Sequence, residues 1–312
     1  MTIAAAKGQD RFIAWCTQEG ASANADWVPT ANNTAGTFDL ITDGSIMCGR
    51  RSRGGTLIWT TTDLWLATYI GGTLVYGFAQ VGNKCGIIAS RAVVVSDTAA
   101  YWMGTAGFYL YDGFVKPIPC EVQDYVFGSL NRTYAHYIWA FENPAFGEVT
   151  WFYPHASQTE VTRYVTYSYR ENHWVTGTLA RTAGVHAQPT GVVPVLIDAA
   201  AAVFDHETAS ARNSEGTVSL ESGPVELGDG DRRMSIQKVI PDDDTVGDVT
   251  LTIFTAANPD TAEVSNGPYT LTAQTSIRPL SARHIRVKLT EAVATAWRVG
   301  VIRLGLVPSS RR

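Results

Sequence analysis

Apolar residues in this chain fall in short runs, many of them aromatic or β-branched, and glycine-rich turns separate the runs. The stretch Ala100 to Cys120 shows the pattern most clearly. Tyr101-Trp102-Met103 leads into Gly104 to Gly107, Phe108 to Tyr111 leads into Asp112-Gly113, and Phe114 to Cys120 continues as a third run. Asp-Gly between apolar runs predicts a hairpin, because glycine tolerates the positive φ of a primed turn. Aromatic residues suit a pleated, half-buried surface. The stretch therefore predicts a three-stranded meander, which is marginal alone and must be repeated or packed.

It is repeated. Trp15, Trp59, Trp102, Trp151 and Leu196 each occupy a strand-then-turn setting and recur every ~45 residues, the spacing of propeller blades. Trp59 is followed by runs at Leu64 to Thr68 and Thr73 to Ala79 around Gly71-Gly72, and Trp151 by runs at Arg163 to Tyr169 and His173 to Leu179. Gly86 to Val95 and Tyr134 to Phe141 are expected to open their units. The first unit is less regular, with strands expected at Asp26 to Pro29 and Thr37 to Ile41. The period predicts four or five blades over residues 1–208, with a generic β-meander, sandwich or solenoid as the alternative.

After about Ala209 the repeat ends in a polar, glycine-rich segment. Alternating strands follow at Met234 to Ile240, Val249 to Phe254, Tyr269 to Ala273, His284 to Leu289 and Trp297 to Val307, with turns at Asn258 to Asp260 and Ser265 to Pro268. One apolar and one polar face per strand predicts a C-terminal antiparallel β-sandwich over residues 209–312. The expected fold class is all-β: propeller-like blades, then a sandwich.

Composition and charge narrow the function classes. The chain has 312 residues, 45% of them hydrophobic, and a formal net charge of −5, so it carries no global basic footprint for nucleic acid. Cys16, Cys48, Cys85 and Cys120 form no CxxC pair, which predicts reduced thiols and no zinc site. Leu64 to Asn83 lacks charge but is broken by glycines, and reads as two strands around Gly71-Gly72, without membrane insertion. No Asp-box, Ser-His-Asp elbow, P-loop, GxGxxG or HExxH occurs, and the six histidines lack metal-ligand spacing. The expectation is no catalytic residue, no metal and no cofactor. Asp229-Gly230-Asp231 and Asp242-Asp243-Asp244 offer oxygen ligands for calcium but match no known calcium loop, and read as acidic turns. Asn32 and Asn131 head glycosylation sequons.

Two charge patterns are candidate contact sites. Gly49 to Gly55, with Arg50, Arg51 and Arg53, reads as a basic, flexible loop, a solvated turn or a salt-bridging contact with a neighbouring subunit before a contact with DNA phosphates. In the C-terminal part, eleven acids against three Lys or Arg lie between Glu215 and Glu263, and eight bases against one acid between Arg278 and Arg312. This segregation fits pairing across one sheet. It equally fits an acidic edge with Asp229, Asp231, Asp242 and Asp243 meeting a basic edge with Arg283, Arg286 and Arg303 on the next subunit.

Gly107 to Gly113 (GFYLYDG), Pro119 to Val126 (PCEVQDYV), Arg163 to Tyr167, Glu171 to Trp174 and Thr178 to Thr182 resemble segments of bacteriophage tail proteins. So do Glu221 to Pro224, Leu227 to Arg232, Val239 to Pro241, Trp297 to Gly300 and the closing Arg311-Arg312. Over roughly residues 85 to 312 the chain is similar to the nozzle (hub, tail tubular or stabilisation) proteins of short-tailed phages. That resemblance implies a non-enzymatic virion protein, assembled in the host cytoplasm. In that family a ring, commonly of six copies, lies below the tail adaptor, surrounds the DNA exit channel and anchors fibres or spikes. Family members are often longer at the N-terminus, so the propeller is expected to be incomplete or closed by another chain. An acidic or neutral lumen would let DNA slide without sequence-specific binding. The alternative is a carbohydrate-binding or glycan-cleaving receptor-recognition component. The two differ over Trp27, Trp139 and Trp174: packed between sheets or subunits in the first, at least two exposed together in a groove in the second.

Overall fold

The computed structural model describes residues 3–5, 10–18, 20, 23–72, 74–186, 193–208, 217–226, 233–242, 244–258, 260–271, 275–292 and 297–308. Its contacts divide the chain into two units, Met1–His206 and Glu207–Arg312.

Among the described residues the first unit has five antiparallel sheets in chain order. The first holds β1 (Ile3–Ala5), β2 (Phe12–Trp15) and β3 (Gly36–Asp39). The second holds β4 (Ile46–Ser52), β5 (Gly55–Thr60), β6 (Leu64–Gly71) and β7 (Val75–Gly82). The third holds β8 (Val93–Val95), β9 (Ala100–Met103), β10 (Phe108–Tyr111) and β11 (Val115–Ile118). The fourth holds β12 (Trp139–Asn143), β13 (Glu148–Tyr153), β14 (Arg163–Ser168) and β15 (His173–Thr178). The fifth holds β16 (Ala183–Val185), β17 (Val195–Ile197) and β18 (Val203–Asp205). The opening strands β4, β8, β12 and β16 lie each beside the next, so they form the inner layer of a propeller-like set of blades.

The repeated residues share one structural position. Trp15, Trp59, Trp102, Trp151 and Leu196 lie on β2, β5, β9, β13 and β17, the second strand of every sheet, and all five are buried. Each large side chain fills the gap beside a neighbouring blade. The Trp151 indole N–H, for example, donates 3.1 Å to the Ala92 carbonyl in the approach to β8. Burying one such side chain contributes on the order of 3 kcal/mol, so the period records core packing.

Several local expectations are corrected. Asp26 to Pro29 is no strand: Asn24–Trp27 forms a 3₁₀ turn, with the Asp26 carboxylate accepting from the Ala23 N–H. Arg132–Tyr137 is also 3₁₀, because the Asn131 side chain caps it by accepting from the Thr133 N–H, and the strand begins only at Trp139. Gln123–Ser129 is a short α-helix that buries Val126. In place of the long opening strand from Gly86, only Val93–Val95 is extended. Gly49 to Ser52 belongs to β4, not to a loop, and only Arg53-Gly54 makes the turn into β5.

Among the described residues the second unit packs two sheets. One contains β19 (Ser219–Glu221), β20 (Val225–Glu226), β22 (Val249–Ala256), β23 (Val264–Thr270) and β25 (His284–Glu291). The other orders β24 (Thr275–Ala282), β21 (Met234–Ile240) and β26 (Arg303–Pro308). Alternate residues of β22, Val249, Leu251 and Ile253, face a core with Ile236, Val239, Ile277 and Leu289. The expected turn Ser265 to Pro268 lies within β23, where a bulge against β22 absorbs the extra residue. The final strand starts at Arg303, not Trp297. Of the Asn258 to Asp260 turn, Pro259 lies outside the described residues.

Candidate functional site

The first blade and the turn that leaves it enclose a cleft of about 730 Å³, lined by Asp10, Arg11, Phe12, Asp39, Leu40, Asp43, Gly44 and Ser45. Pairing of Phe12 with Asp39 in β2 and β3 brings the two strand ends to one rim. Asp10, Asp39 and Asp43 are exposed carboxylates there, against one guanidinium, Arg11. Arg11 Nη1 donates to the Thr42 carbonyl at 2.7 Å, which fixes it along the cleft wall.

A hydroxyl network holds the third side of the cleft. Asp63, 5% exposed, accepts hydrogen bonds from Thr42 Oγ1 and, at 3.0 Å, from Thr62 Oγ1. Thr60 Oγ1 accepts the Asp63 N–H at 2.8 Å. A buried carboxylate without such donors would be costly. The Gly44 N–H donates to Thr42 Oγ1 at 3.1 Å, and a Cβ at Gly44 would lie within 2.5 Å of Thr62 Oγ1. Only glycine lets the turn close onto the threonines. The Ser45 hydroxyl then reaches Asp10 Oδ2 at 3.3 Å, so the cleft rests on a fixed frame. Its acidic rim suits cations or polyhydroxyl ligands.

Arg50 and Arg51, both exposed, lie on β4, and Arg53 follows in the turn. Arg50 donates to the Gly49 carbonyl at 3.1 Å and the Ser90 carbonyl at 3.2 Å. Among the described residues none of the three pairs with a carboxylate.

In the second unit the segregated charge is used within the chain. Arg286 donates to both Glu221 and Glu263 and lies over the Phe254 ring at 4.1 Å. Lys288 adds a contact of 3.6 Å to Glu221, and Arg298 pairs with Asp244 at 3.1 Å. Asp242 accepts the Val301 N–H at 2.6 Å and the Thr245 hydroxyl at 3.1 Å. The Val301 N–H, with smaller help from Thr245 and Arg303, holds that carboxyl below the usual range. Arg286 and Asp242 are thus engaged inside their own unit, and pairing across strands accounts for them. Arg283 keeps its Nε buried without an acceptor among the described residues, and Arg303 lies opposite Ile240 in β26. Asp229, Asp231 and Asp243 lie outside the described residues.

The discriminating tryptophans do not share a groove. Trp139 is 5% exposed, stacks on Phe152 at 4.6 Å and donates to the Arg181 carbonyl at 2.8 Å. Trp174 packs on Phe108 and Tyr167 and donates to the Pro119 carbonyl at 2.8 Å. Trp27 ends the 3₁₀ turn of the first blade. Sequence reasoning missed the cleft because its acids come from separate places in the chain, a turn at Asp10, the end of β3 at Asp39 and a bend at Asp43.

Among the described residues no three His, Cys, Asp or Glu converge as a metal-ligand set, and no helix is long and apolar enough to cross a membrane.

No protein-family model and no curated protein matches the chain. Among solved structures, the exo-β-1,3-galactanase of Phanerochaete chrysosporium with galactose is similar at 9% identity and a TM-score of 0.31, covering 95% of this chain and 90% of that one. A variant of the same enzyme with β-1,3-galactotriose gives 9% and 0.30, covering 96% and 89%. The expectation of a non-enzymatic protein is corrected by these likenesses, which fall on an enzyme, and it is withdrawn. At such identity and TM-score they transfer no activity, substrate or residue to this chain.

Proposed function

We propose that the chain is a subunit of an oligomeric ring in a phage tail, a nozzle or hub that surrounds the DNA exit channel and joins the tail adaptor to distal parts or fibres. The observation that carries this reading is the placement of Trp139 and Trp174, whose rings pack between strands and whose N–H groups donate to internal carbonyls. The segments that resemble tail proteins also fall on the framework: Gly107 to Gly113 forms β10 and its turn, and Arg163 to Tyr167 lies in β14. The native mass of the purified chain tests the reading. A defined homo-oligomer supports it, and a stable monomer that binds glycans overturns it.

A second reading, binding or cleavage of a carbohydrate, draws on the cleft of the first blade. Asp10, Asp39, Asp43 and Arg11 offer charged groups that can hydrogen-bond vicinal hydroxyls. Glycan binding by the full chain, abolished in Asp39→Asn/Asp43→Asn, would favour it; no binding to a broad glycan panel would dismiss it.

A further inference from the structure

Residues 44–96 contain five bases, Arg50, Arg51, Arg53, Lys84 and Arg91, and one acid, Asp63. That acid is buried among threonines. In a chain with a net charge of −5, the second blade and the segment leading into β8 thus present cations and no exposed carboxylate. Arg50, Arg51, Arg53 and Arg91 are all exposed, and among the described residues none meets an anion. Arg286 and Arg298 of the second unit, by contrast, are paired inside it.

The complementary surface lies on the same chain, at the other end of the same strand. β4 begins beside Asp43, Gly44 and Ser45, where the Ile46 N–H donates to the Asp10 carbonyl at 2.7 Å. It ends at the arginine turn. Seven extended residues separate the two ends, a span of roughly 20 Å. The acidic cleft and the basic hairpin therefore occupy opposite rims and cannot meet within one chain. Two copies placed head to tail can bring them together.

We propose that the Arg50–Arg53 hairpin of one copy docks into the Asp10–Asp39–Asp43 cleft of the next. The cleft volume of about 730 Å³ admits guanidinium side chains, and planar forks of two donors match carboxylates. Asp39 and Asp43 have no base paired with them among the described residues, so the contact neutralises charges left open on both rims. A contact between two different patches of one chain closes into a ring or propagates as a filament. This inference rests on the proposed assembly and names the surfaces that build it.

The test uses the full-length chain and two charge-reversed variants, Arg50→Glu/Arg51→Glu/Arg53→Glu and Asp39→Lys/Asp43→Lys, with folding checked by circular dichroism. Each variant alone is expected to self-associate at least about tenfold more weakly than the parent, the size of effect close charge pairs give. Mixed one to one, they are expected to regain the parent mass, because every contact is again complementary. Recovery on mixing also shows that both variants fold. An oligomeric parent whose mass is unchanged by either reversal overturns this inference and leaves the assembly reading standing. A monomeric parent overturns both. Loss of duplex-DNA binding by the arginine variant, with self-association unchanged, assigns the hairpin to phosphates and overturns docking.

Discussion

Trp59 and Trp102 meet edge to face between the second and third blades, with ring centroids 5.7 Å apart and planes inclined by 70°. Both are fully buried, yet their N–H groups differ. Trp102 donates to the Cys85 carbonyl at 2.7 Å, whereas Trp59 Nε1 has no acceptor among the described residues. Trp102→Ala is expected to destabilise the first unit by about 3–5 kcal/mol through the cavity it leaves. Trp102→Phe also orphans the Cys85 carbonyl, so it should cost about 1 kcal/mol more than Trp59→Phe, which removes an unpaired donor. Urea unfolding of the two Phe variants measures the difference. Equal costs would show that the Cys85 hydrogen bond contributes nothing.

Cys85 is buried in the same core as Trp102, and burial pushes its thiol up to about 11, with Asp63 adding to the rise. Burial likewise pushes Cys48 and Cys120 up to about 11. At pH 8 all three stay protonated, and the thiolate is the reactive form. Native protein is therefore expected to resist alkylation at Cys85 and to react fully once unfolded. Mass spectrometry after iodoacetamide treatment reads this directly, and rapid native labelling would contradict the burial.

His206 ends the first unit with its Nε2 accepting from Arg181 Nε at 3.2 Å. Burial first, and the Arg181 charge second, lower its pKa below 6.5. A histidine depressed in the fold binds fewer protons than the unfolded chain, so its share of stability is present above pH 6.5 and is lost on acidification. Unfolding temperature should fall between pH 7 and pH 5.5, and His206→Gln should flatten that fall. An identical pH profile in the variant would remove His206 as its cause.

Arg286 joins three strands of the sandwich by donating to Glu221 on β19 and to Glu263 just before β23 while lying over Phe254 on β22. A lysine keeps the charge but not the planar fork. Arg286→Lys is expected to lower stability by about 1 kcal/mol and Arg286→Ala by more, both less sensitive to added salt than an exposed pair. Denaturant titration in low and high salt checks both.

Much of the fold was legible in the sequence because one side chain per blade must fill the same gap. The tryptophan period therefore located the second strand of each sheet, Leu196 included. The inner strands were harder. Gly86 packs so closely on the Thr61 backbone that a Cβ would lie 2.0 Å from its carbonyl oxygen, and this contact replaces ladder pairing there. Aromatic residues at 134–137 suggested a strand, but the Asn131 cap gives the backbone a better local solution. Glycines around Arg50 to Arg53 suggested a loop, whereas Gly55, at φ +146°, allows β5 to approach the Ala67 carbonyl. The cleft had no local pattern at all, since Asp10, Asp39 and Asp43 converge only once β2 pairs with β3.

Direct imaging of the purified full-length chain tests the central claim, that this propeller-and-sandwich subunit builds a ring around a DNA channel. The account predicts closed rings of uniform copy number with a central opening wide enough to pass duplex DNA. Isolated single chains at every concentration, or open aggregates without an axis, would contradict it.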